Sequence, residues 1–381
     1  MEIKQWKDVL HIVSGKNQKA VENPNGKYPI YGSGGLMGYA DDYLCEAGTT
    51  IVGRKGTINR PIFVTEPFWN IDTAFGIAPD KGLVPKYLYY FCVHFNFMPL
   101  DKSTGRPSLA KSDLLKIEMP VPPLPEQERI VARIEELFSQ LDAGVETLKK
   151  TKAQLAVYRQ AVLKEAFEGR LTASGPEKIV RLGDYIETPR YGTSKKCSYD
   201  DGRDRTAVYR IPNIEHKNGR ISHDDIKYAQ FTESELDGIR LRQGDILIIR
   251  SNGSVSLVGR AAMVCDADIT GTFAGYLMRL RISEPETLLP KFLLLFLQSH
   301  LARIYIENKA KSTSGVHNIN STEISDLQMP LYDPDTQYAI IEAIESRLSV
   351  CDSIEHTVDL ALQQAEAMRQ SILKDAFEGR L

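Results

Sequence analysis

Apolar residues recur at helical spacing over one long segment of the chain. Residues 126–168 hold no proline and one glycine, so their pattern predicts a single long helix. At 1.5 Å per residue, roughly 43 residues extend about 65 Å. A seven-residue apolar repeat predicts a coiled-coil seam made of Ile134, Leu141, Leu148, Leu155 and Val162. The neighbouring seam position carries Ile130, Leu137 and Tyr158.

The same pattern returns at a constant offset of 210 residues. Residues 159–171 read RQAVLKEAFEGRL and residues 369–381 read RQSILKDAFEGRL, which differ at three positions. The second seam consists of Ile344, Cys351, Val358, Ala365 and Ile372, flanked by Ile340, Ile354, Ala361 and Met368. The chain is therefore an internal duplication of a globular segment followed by a helix, with too few copies for a solenoid.

Prolines and glycines set the predicted boundaries. Proline-rich stretches at 120–127 and 330–337 precede the two helices, and Gly169 and Gly379 follow them. We predict a first globular domain at 1–120, a long helix at 121–171, a second globular domain at 172–332 and a second helix at 333–381. The order of these segments requires the helices to run antiparallel if they pack along their length. It predicts a pseudo-two-fold molecule with the two globular domains at opposite ends of the helices.

Short apolar runs in the globular segments, such as 50–52 and 245–249, predict strands. Runs at 87–95 and 292–305 predict helices. The fold class is therefore α+β, or mixed α/β, in two similar globular domains separated by two long antiparallel coiled-coil helices. The two globular segments share short matches in the same order and diverge between them, which indicates that they recognise different things.

Composition narrows the class of protein but not its function. The chain has 381 residues, a net charge of −3 and an apolar share of 42%, which is ordinary for globular proteins. Five cysteines without a CxxC pair argue against a disulfide framework and a zinc cluster, and favour the reducing cytoplasm. The sequence shows no signal peptide and no apolar run long enough for a membrane. Since the globular segments are nearly neutral, DNA binding would have to depend on local clusters or on partners.

Motifs of catalysis are missing from the sequence. It contains no GxxxxGK[ST] and no HExxH, and the glycine-rich residues 31–39 fit neither a Walker loop nor GxGxxG, so they are interpreted as a turn-rich loop. The histidines lack metal-binding spacing. We predict no catalytic residue, no metal site and no cofactor bound by this chain.

Two segments that follow predicted strands combine basic, hydroxyl and amide side chains. The guanidinium group of arginine can form two hydrogen bonds with guanine, and the amide of asparagine can form two with adenine. Lysine and hydroxyl side chains commonly contact phosphates. A solvated hairpin is the alternative interpretation. The candidate DNA-binding residues here are Arg54, Lys55, Thr57, Asn59 and Arg60 in the first copy, and Arg250, Ser251, Asn252 and Ser254 in the second.

A second pair of segments lies after the apolar helix and before the last strand of each globular domain. These segments contribute Lys102, Ser103, Thr104 and Arg106 in the first copy, and Ser312, Thr313, His317 and Asn318 in the second. Their recurrence at one place in both copies favours a function. A further basic loop, peculiar to the second copy, contains Tyr191, Thr193, Lys195 and Lys196, and a solvated face is its simpler interpretation.

Three segments resemble the specificity subunit of type I restriction-modification systems. They are residues 119–148 (MPVPPLPEQERIVARIEELFSQLDAGVETL), the repeated AFEGRL, and residues 53–75 (GRKGTINRPIFVTEPFWNIDTAF). The resemblance covers essentially the whole chain. One departure is that the second helix begins DPDTQ where the first has PLPEQ, so its partner contacts are expected to be weaker or different.

The resemblance implies a DNA-recognition protein without catalytic activity of its own. Each globular domain would recognise one half of a bipartite, asymmetric site in double-stranded DNA through the major groove, and the helices would set the gap between the halves. Two methyltransferase subunits that bind S-adenosylmethionine would dock along the helices. Motor-nuclease subunits that use ATP and Mg²⁺ would join them for cleavage.

Alternatives remain at this point. One is the specificity subunit of a restriction system whose methyltransferase and nuclease are fused in one partner chain. Another is a coiled-coil scaffold that binds only proteins. A stand-alone nuclease or methyltransferase is disfavoured by the missing motifs.

Overall fold

In a computed structural model of the chain, the described residues are 2–171, 175–202, 204–313 and 315–381, without the side chains of 311–313. The chain divides into two compact units. Unit 1 combines Met1–Lys150 with Val358–Leu381, and unit 2 is Thr151–Thr357. Each unit therefore contains one globular domain together with parts of both long helices. Among the described residues, no helix is both long and apolar enough to cross a membrane.

The first globular domain is a mixture of short strands and helices. Its strands are β1 (Ile3–Gln5), β2 (Leu10–Ser14), β3 (Tyr28–Gly32), β4 (Gly35–Ala40), β5 (Thr49–Gly53), β6 (Ile62–Val64), β7 (Trp69–Asn70), β8 (Ala74–Pro79) and β9 (Glu118–Pro120). Its α-helices are α1 (Pro85–His94) and α2 (Lys111–Leu114), with 3-10 turns at Trp6–Asp8 and Met98–Leu100.

Three sheets organise unit 1. The largest has the strand order β2-β8-β5-β6, and all of its neighbours are antiparallel. A second sheet, β4-β3-β7, joins an antiparallel hairpin to a parallel neighbour. The pair β1-β9 brings the two ends of the globular domain together. Residues 31–39, interpreted from the sequence as a turn-rich loop, lie mainly in the β3-β4 hairpin, so that prediction was wrong in its extent. The glycines there permit close strand pairing as well as turning.

The first long helix, α3, spans Leu124–Phe167. It ends in a left-handed glycine, Gly169, with φ +74°. The N–H of Arg170 donates to the carbonyl of Glu165 at 2.9 Å, which is the closing hydrogen bond of a Schellman motif. The AFEGRL sequence is therefore a helix C-terminus with its stop residue.

The second globular domain repeats the first with additions. Its strands are β10 (Lys178–Arg181), β11 (Arg190–Tyr191), β12 (Arg205–Tyr209), β13 (Ile214–Glu215), β14 (Arg220–Ile221), β15 (Lys227–Gln230), β16 (Ile246–Ile249), β17 (Ser251–Asn252), β18 (Ala261–Met263), β19 (Thr272–Phe273), β20 (Leu277–Leu280), β21 (Lys311–Thr313), β22 (Val316–Asn318) and β23 (Gln328–Leu331). Its α-helices are α4 (Glu233–Asp237), α5 (Pro290–Gln298), α6 (His300–Lys309) and α7 (Ser321–Ser325), with 3-10 turns at Leu182–Asp184, Ile211–Asn213, Val255–Leu257 and Asp266–Asp268.

The sheets of unit 2 match those of unit 1 in order and direction. The sheet β11-β20-β16-β18 corresponds to β2-β8-β5-β6, the sheet β15-β12-β19 to β4-β3-β7, and the pair β10-β23 to β1-β9. The hairpin β13-β14 and the sheet β17-β22-β21 are additions. The run 292–305, predicted to be helical, forms parts of two helices, because the chain is extended at Ser299. The side-chain hydroxyl of Ser299 caps α6 by accepting the N–H of Ala302 at 3.4 Å.

The second long helix, α8, spans Pro334–Phe377 and has the same length as α3, 44 residues. It ends like α3, with Gly379 at φ +77° and the N–H of Arg380 donating to the carbonyl of Asp375 at 2.8 Å. The identical endings show that the sequence repeat is a repeat of structure.

Within each unit, the parts of α3 and α8 pack antiparallel. In unit 2, Arg159 pairs with Asp352 and, further along α3, Glu165 pairs with Arg347. In unit 1, Arg129 donates to the carbonyl of Leu381 and Asp142 pairs with Arg369. In each unit, a contact nearer the C-terminus of α3 therefore lies nearer the N-terminus of α8. The pairs Arg159–Asp352 and Arg369–Asp142 are the same contact made twice, because both partners are shifted by 210 residues.

The predicted seam of each long helix is turned away from solvent, and part of the neighbouring seam position is not. The buried members of the two seams are Ile134 and Val162 in α3, and Ile344, Cys351, Val358 and Ala365 in α8. On the neighbouring seam, Tyr158, Ile354 and Met368 are 47%, 41% and 55% exposed, so that part of the prediction was wrong. A helix of 3.6 residues per turn drifts from a seven-residue repeat, and Leu163 and Leu373 are buried instead.

Aromatic anchors join the helix ends to the globular domains. Phe377 packs edge-on against Tyr87 and Phe91 of α1, at centroid distances of 5.2 and 5.4 Å. Phe167 makes the corresponding contacts with Phe292 and Phe296 of α5, at 5.2 and 5.3 Å. The phenylalanine of each AFEGRL thus belongs to the core of a globular domain.

Candidate nucleic-acid interface

In unit 1, the loop after β5 is held to the protein by its backbone. The carbonyl of Thr73 accepts the N–H groups of Arg54 and Lys55 at 2.8 and 3.1 Å. Gly56 has φ +87°, and a Cβ there would lie 2.7 Å from the guanidinium of Arg106. The loop therefore needs glycine both for its backbone angle and for the close approach of an arginine.

The two candidate segments of unit 1 form one surface. The N–H of Gly56 donates to the carbonyl of Pro107 at 2.8 Å, and the N–H of Leu109 donates to the carbonyl of Arg54 at 2.9 Å. Lys55 and Ser108 form a bridge between the segments. Residues some fifty positions apart in the sequence are thus neighbours, which the sequence alone did not reveal.

Several side chains on this surface are exposed and free to meet a polyanion. Lys55, Arg60 and Arg106 are exposed and make no ion pair with any residue that the structure describes, and Thr57 and Thr104 are also exposed. Lys102 instead pairs with Asp113 at 2.7 Å and lowers the pKa of that carboxyl group. Ser103 donates its hydroxyl to the carbonyl of Arg106 at 2.9 Å. The unpaired cations are therefore the side chains of this surface that are most available for contact with DNA.

Asn59 and Arg54 are partly committed to the protein. The amide oxygen of Asn59 accepts the N–H of Phe97 at 2.8 Å, and its amide nitrogen donates to Asn96 at 3.2 Å. Arg54 lies 5.8 Å from the ring centroid of Phe75 and donates to the carbonyl of Asp72 at 3.4 Å. These contacts order the loop, and they leave Asn59 without its full set of groups for a bidentate contact with adenine.

In unit 2, the candidate segments after β16 and after α6 also meet. Ser251 and Asn252 pair with Asn318 and His317 in the sheet β17-β22-β21. Ser312 and Thr313 belong to its third strand, and their side chains lie outside the described part of the structure.

The side chains of this sheet are partly engaged. His317 Nδ1 lies 3.1 Å from the carbonyl oxygen of Ala310, and Asn318 Nδ2 lies 3.5 Å from that of Val316. Ser254 donates its N–H to the side chain of Asn252 at 2.9 Å. Most of these polar groups therefore shape the loops.

Arg250 forms the centre of the unit 2 surface. Its guanidinium lies 4.3 Å from the ring centroid of Tyr191 and donates to the carbonyl of Gly275 at 3.1 Å. Its Nε is buried without a hydrogen-bond partner among the described residues. The Tyr191 hydroxyl accepts the N–H of Ser321 at 3.1 Å, so the stacked tyrosine is itself fixed.

The third candidate loop lies beside Arg250. Thr193 accepts the N–H of Lys195 at 3.0 Å, and Lys195 pairs with Glu235 at 2.7 Å. The Lys195 ammonium is the largest of the contacts that lower the pKa of Glu235 to about 2. Lys196 is exposed and has no ion pair within the described ranges.

A cleft of about 590 Å³ opens between these loops of unit 2. Among the cationic and aromatic residues of its lining, sequence analysis missed Arg210, Lys227 and Tyr276, which come from separate strands and loops. A tyrosine next to a glycine, at Gly275-Tyr276, was the only signal of them in the sequence. The residues lining the cleft include Thr193, Lys195, Arg210, Lys227, Arg250, Ser251 and Tyr276.

The polar groups of the two surfaces were compared with those of metal-binding and nucleic-acid-binding sites. No group of three or more His, Cys, Asp or Glu side chains in the part of the chain that the structure covers could hold a metal ion. The geometry instead provides, in each unit, loops with exposed cations, hydroxyls and aromatic rings, which are the side chains that contact nucleic acid.

Comparison with known proteins gives one consistent result. A family profile, the "Type I restriction modification DNA specificity domain", matches residues 1–156. The chain is 30% identical to the type I restriction enzyme EcoKI specificity subunit of Escherichia coli (strain K12) over 71% of its own length and 59% of that subunit. It is 26% identical to the StySPI specificity subunit of Salmonella potsdam over 86% of its own length and 73% of that protein.

Solved structures share the fold at low sequence identity. A chain from a structure of assembly and conformational transition of the type I R-M system matches at a TM-score of 0.77 and 16% identity, covering 100% of this chain and 98% of that chain. The HsdS subunit from Thermoanaerobacter tengcongensis matches at 0.56 and 15% identity, covering 100% and 97%.

Proposed function

Because the chain belongs to the family of type I restriction-modification specificity proteins, we propose that it selects the DNA sequence on which a restriction-modification complex acts. Each globular domain recognises one half of a bipartite, asymmetric site in double-stranded DNA. The surface of unit 1 that carries Lys55, Arg60 and Arg106 recognises one half, and the surface around Arg250 recognises the other.

One observation carries this proposal. The framework of the two units is duplicated contact by contact, whereas the basic loops on it differ. The ion pairs Arg159–Asp352 and Arg369–Asp142 repeat at a constant offset. The loop after β5 has the sequence RKGTINR and its counterpart after β16 has RSNGS. A duplicated frame with unlike polar loops suits a protein that holds two different half-sites in one geometry.

The long helices have two proposed roles. They fix the distance between the half-sites, and they provide the surface on which two DNA methyltransferase subunits dock. Val157 on α3 and Val350 on α8 are 71% and 58% exposed within unit 2, so a subunit docked along the helices would cover apolar surface on both of them.

Catalysis is assigned to the partners. We infer that the methyltransferase subunits bind S-adenosylmethionine, that motor-nuclease subunits use ATP and Mg²⁺, and that this chain binds none of the three. The net charge of −3 is in keeping with this division, because partner subunits that close around DNA would share the phosphate contacts.

The test is to co-express the chain with its methyltransferase partner and to map modified bases across a genome. The proposal predicts one motif made of two short specified halves separated by a gap of fixed length. A contiguous motif, or modification that does not depend on the chain, would refute it. Absence of sequence-dependent DNA binding in the complex would favour a protein-only scaffold.

A further inference from the structure

The β3-β4 hairpin of unit 1 exposes apolar side chains on both of its faces. Leu36 is 54% exposed and its neighbour Met37 is 59% exposed. Successive residues of a strand point to opposite faces, and one face of an antiparallel ribbon is normally covered by a core. Exposure of both residues means that β4 is covered on neither face at this end of the hairpin, whereas Ser33, in the turn, is buried and holds the turn to the domain.

The hairpin lies at the edge of the candidate interface. The N–H of Ser33, in its turn, is 3.5 Å from the hydroxyl of Thr73, and the carbonyl of the same threonine accepts the N–H groups of Arg54 and Lys55. Thr73 therefore contacts both the turn of the hairpin and the start of the basic loop. The apolar end and the cations belong to one surface.

The shape of the hairpin suits a groove of DNA. Gly34 and Gly35 have no heavy atom within 4 Å of a Cβ built on them, so the chain is open to solvent where it enters β4. A register shift between Ile30 and Tyr31 interrupts the pairing, and such bulges re-aim the end of a ribbon. The major groove admits a two-stranded ribbon.

We propose that the β3-β4 hairpin enters the major groove and that Leu36 and Met37 contact the 5-methyl groups of thymine. The chemical argument is complementarity: the thymine methyl is the one apolar group on the major-groove edge of a base pair, and the unpaired Lys55 beside the hairpin attracts the flanking phosphates. The inference rests on the proposed function and adds to it the kind of base contact that unit 1 makes.

Unit 2 provides an internal contrast. The strands that correspond to the hairpin are β12 and β15, and they are joined by residues 210–226 instead of a two-residue turn. No large apolar side chain between 204 and 230, all within the described ranges, is among the exposed ones. Dependence on thymine methyl groups is therefore expected in one half-site and not in the other.

The experiment uses the complex of the chain with its methyltransferase partner and the DNA site obtained by mapping. Deoxyuridine replaces every thymine of one half-site, then of the other, and binding is measured for each duplex. For the wild type, we expect weaker binding only to the duplex whose deoxyuridines lie in the half-site of unit 1. The affinity should fall by roughly four-fold for each methyl group contacted, which is the factor for burying one methylene-sized group. The variant Leu36→Ser/Met37→Gln should bind the thymine duplex more weakly and be indifferent to the deoxyuridine replacement.

A matched control is Ile3→Ser, since Ile3 is 58% exposed on a strand of the same unit that pairs with β9 and not with β3. It should keep the wild-type response. Three outcomes would each overturn the inference while leaving the proposed function intact. The wild type could bind thymine and deoxyuridine duplexes equally well, or the half-site of unit 1 could contain no thymine. The third outcome is a Leu36→Ser/Met37→Gln variant that is as sensitive to deoxyuridine as the wild type. A complex that binds no sequence preferentially would refute both.

Discussion

The side-chain oxygen of Gln127 accepts the backbone N–H of Val84 at 2.8 Å, at the start of α1. The amide nitrogen of the same glutamine donates to the carbonyls of Gly82 and Pro122. Gln337 repeats all three contacts with Leu289, Thr287 and Tyr332 in unit 2. A fully buried amide thus joins the first turn of each long helix to the globular domain beside it.

Replacing Gln127 with Leu should destabilise unit 1 by about 3 kcal/mol, because it removes three hydrogen bonds and leaves the carbonyl of Pro122 buried without that partner. Chemical denaturation monitored by the two tryptophans, Trp6 and Trp69, both in unit 1, measures the loss. Gln140→Leu, at an exposed position of the same helix, is the control and should change stability little. A loss as small as that of the control would mean that the amide is dispensable.

Phe377→Ala should cost about 3–5 kcal/mol, the usual loss for a buried phenylalanine. Its ring contacts Tyr87, Phe91 and His94, so the loss should appear in the unfolding of unit 1. Val157→Ala, at a side chain 71% exposed on α3, is the comparison. Similar thermal unfolding of both variants would contradict the anchoring role of the AFEGRL phenylalanine.

Acid should weaken unit 1 partly through His94. Burial against Phe377 lowers the pKa of His94 below its ordinary value, with Lys374 lowering and Glu378 raising it. The unfolded chain therefore takes up this proton first, and the stability contributed by the neutral ring is present above about pH 6.5 and is lost as pH falls below it. His94→Phe should lose less stability than the wild type between pH 7.5 and 5.5. If the variant and the wild type lose the same free energy of unfolding between pH 7.5 and 5.5, this role of His94 is rejected.

The two long helices and the duplication of the fold could be predicted from the sequence. The spacing of apolar residues indicates long helices, and the repeat at a constant offset indicates duplication. The extent of residues 31–39 and the break at Ser299 could not be predicted. The glycines of residues 31–39 occur in paired strands as well as in turns, so their composition does not distinguish the two. A helix-capping serine inside an apolar run, such as Ser299, does not change the spacing of the apolar residues. The meeting of the segments around Gly56 and Pro107 depends on tertiary contacts, so no local pattern indicates it.

Lengthening the helices should lengthen the gap in the DNA site. Seven residues inserted after Lys150 in α3 and after Leu360 in α8 preserve the seam and add about 10 Å, or about 3 base pairs. The half-sites should stay the same while the gap grows in the mapped motif. Inserting the residues in α3 alone should instead disturb the ion pairs between the helices and lower stability. An unchanged gap in the double insertion would reject the helices as the spacer.

The central claim is that each unit recognises its own half-site, and substitutions in one loop test it most directly. Arg60→Ala in the methyltransferase complex should weaken binding by about 1–3 kcal/mol if Arg60 contacts a base, and should relax the specified bases of one half-site only. Lys81→Ala, an exposed cation of the same unit, serves as the control. Selection of binding sites from random DNA gives the answer: the account predicts one degraded half-site beside an intact one, and equal degradation of both halves would contradict it.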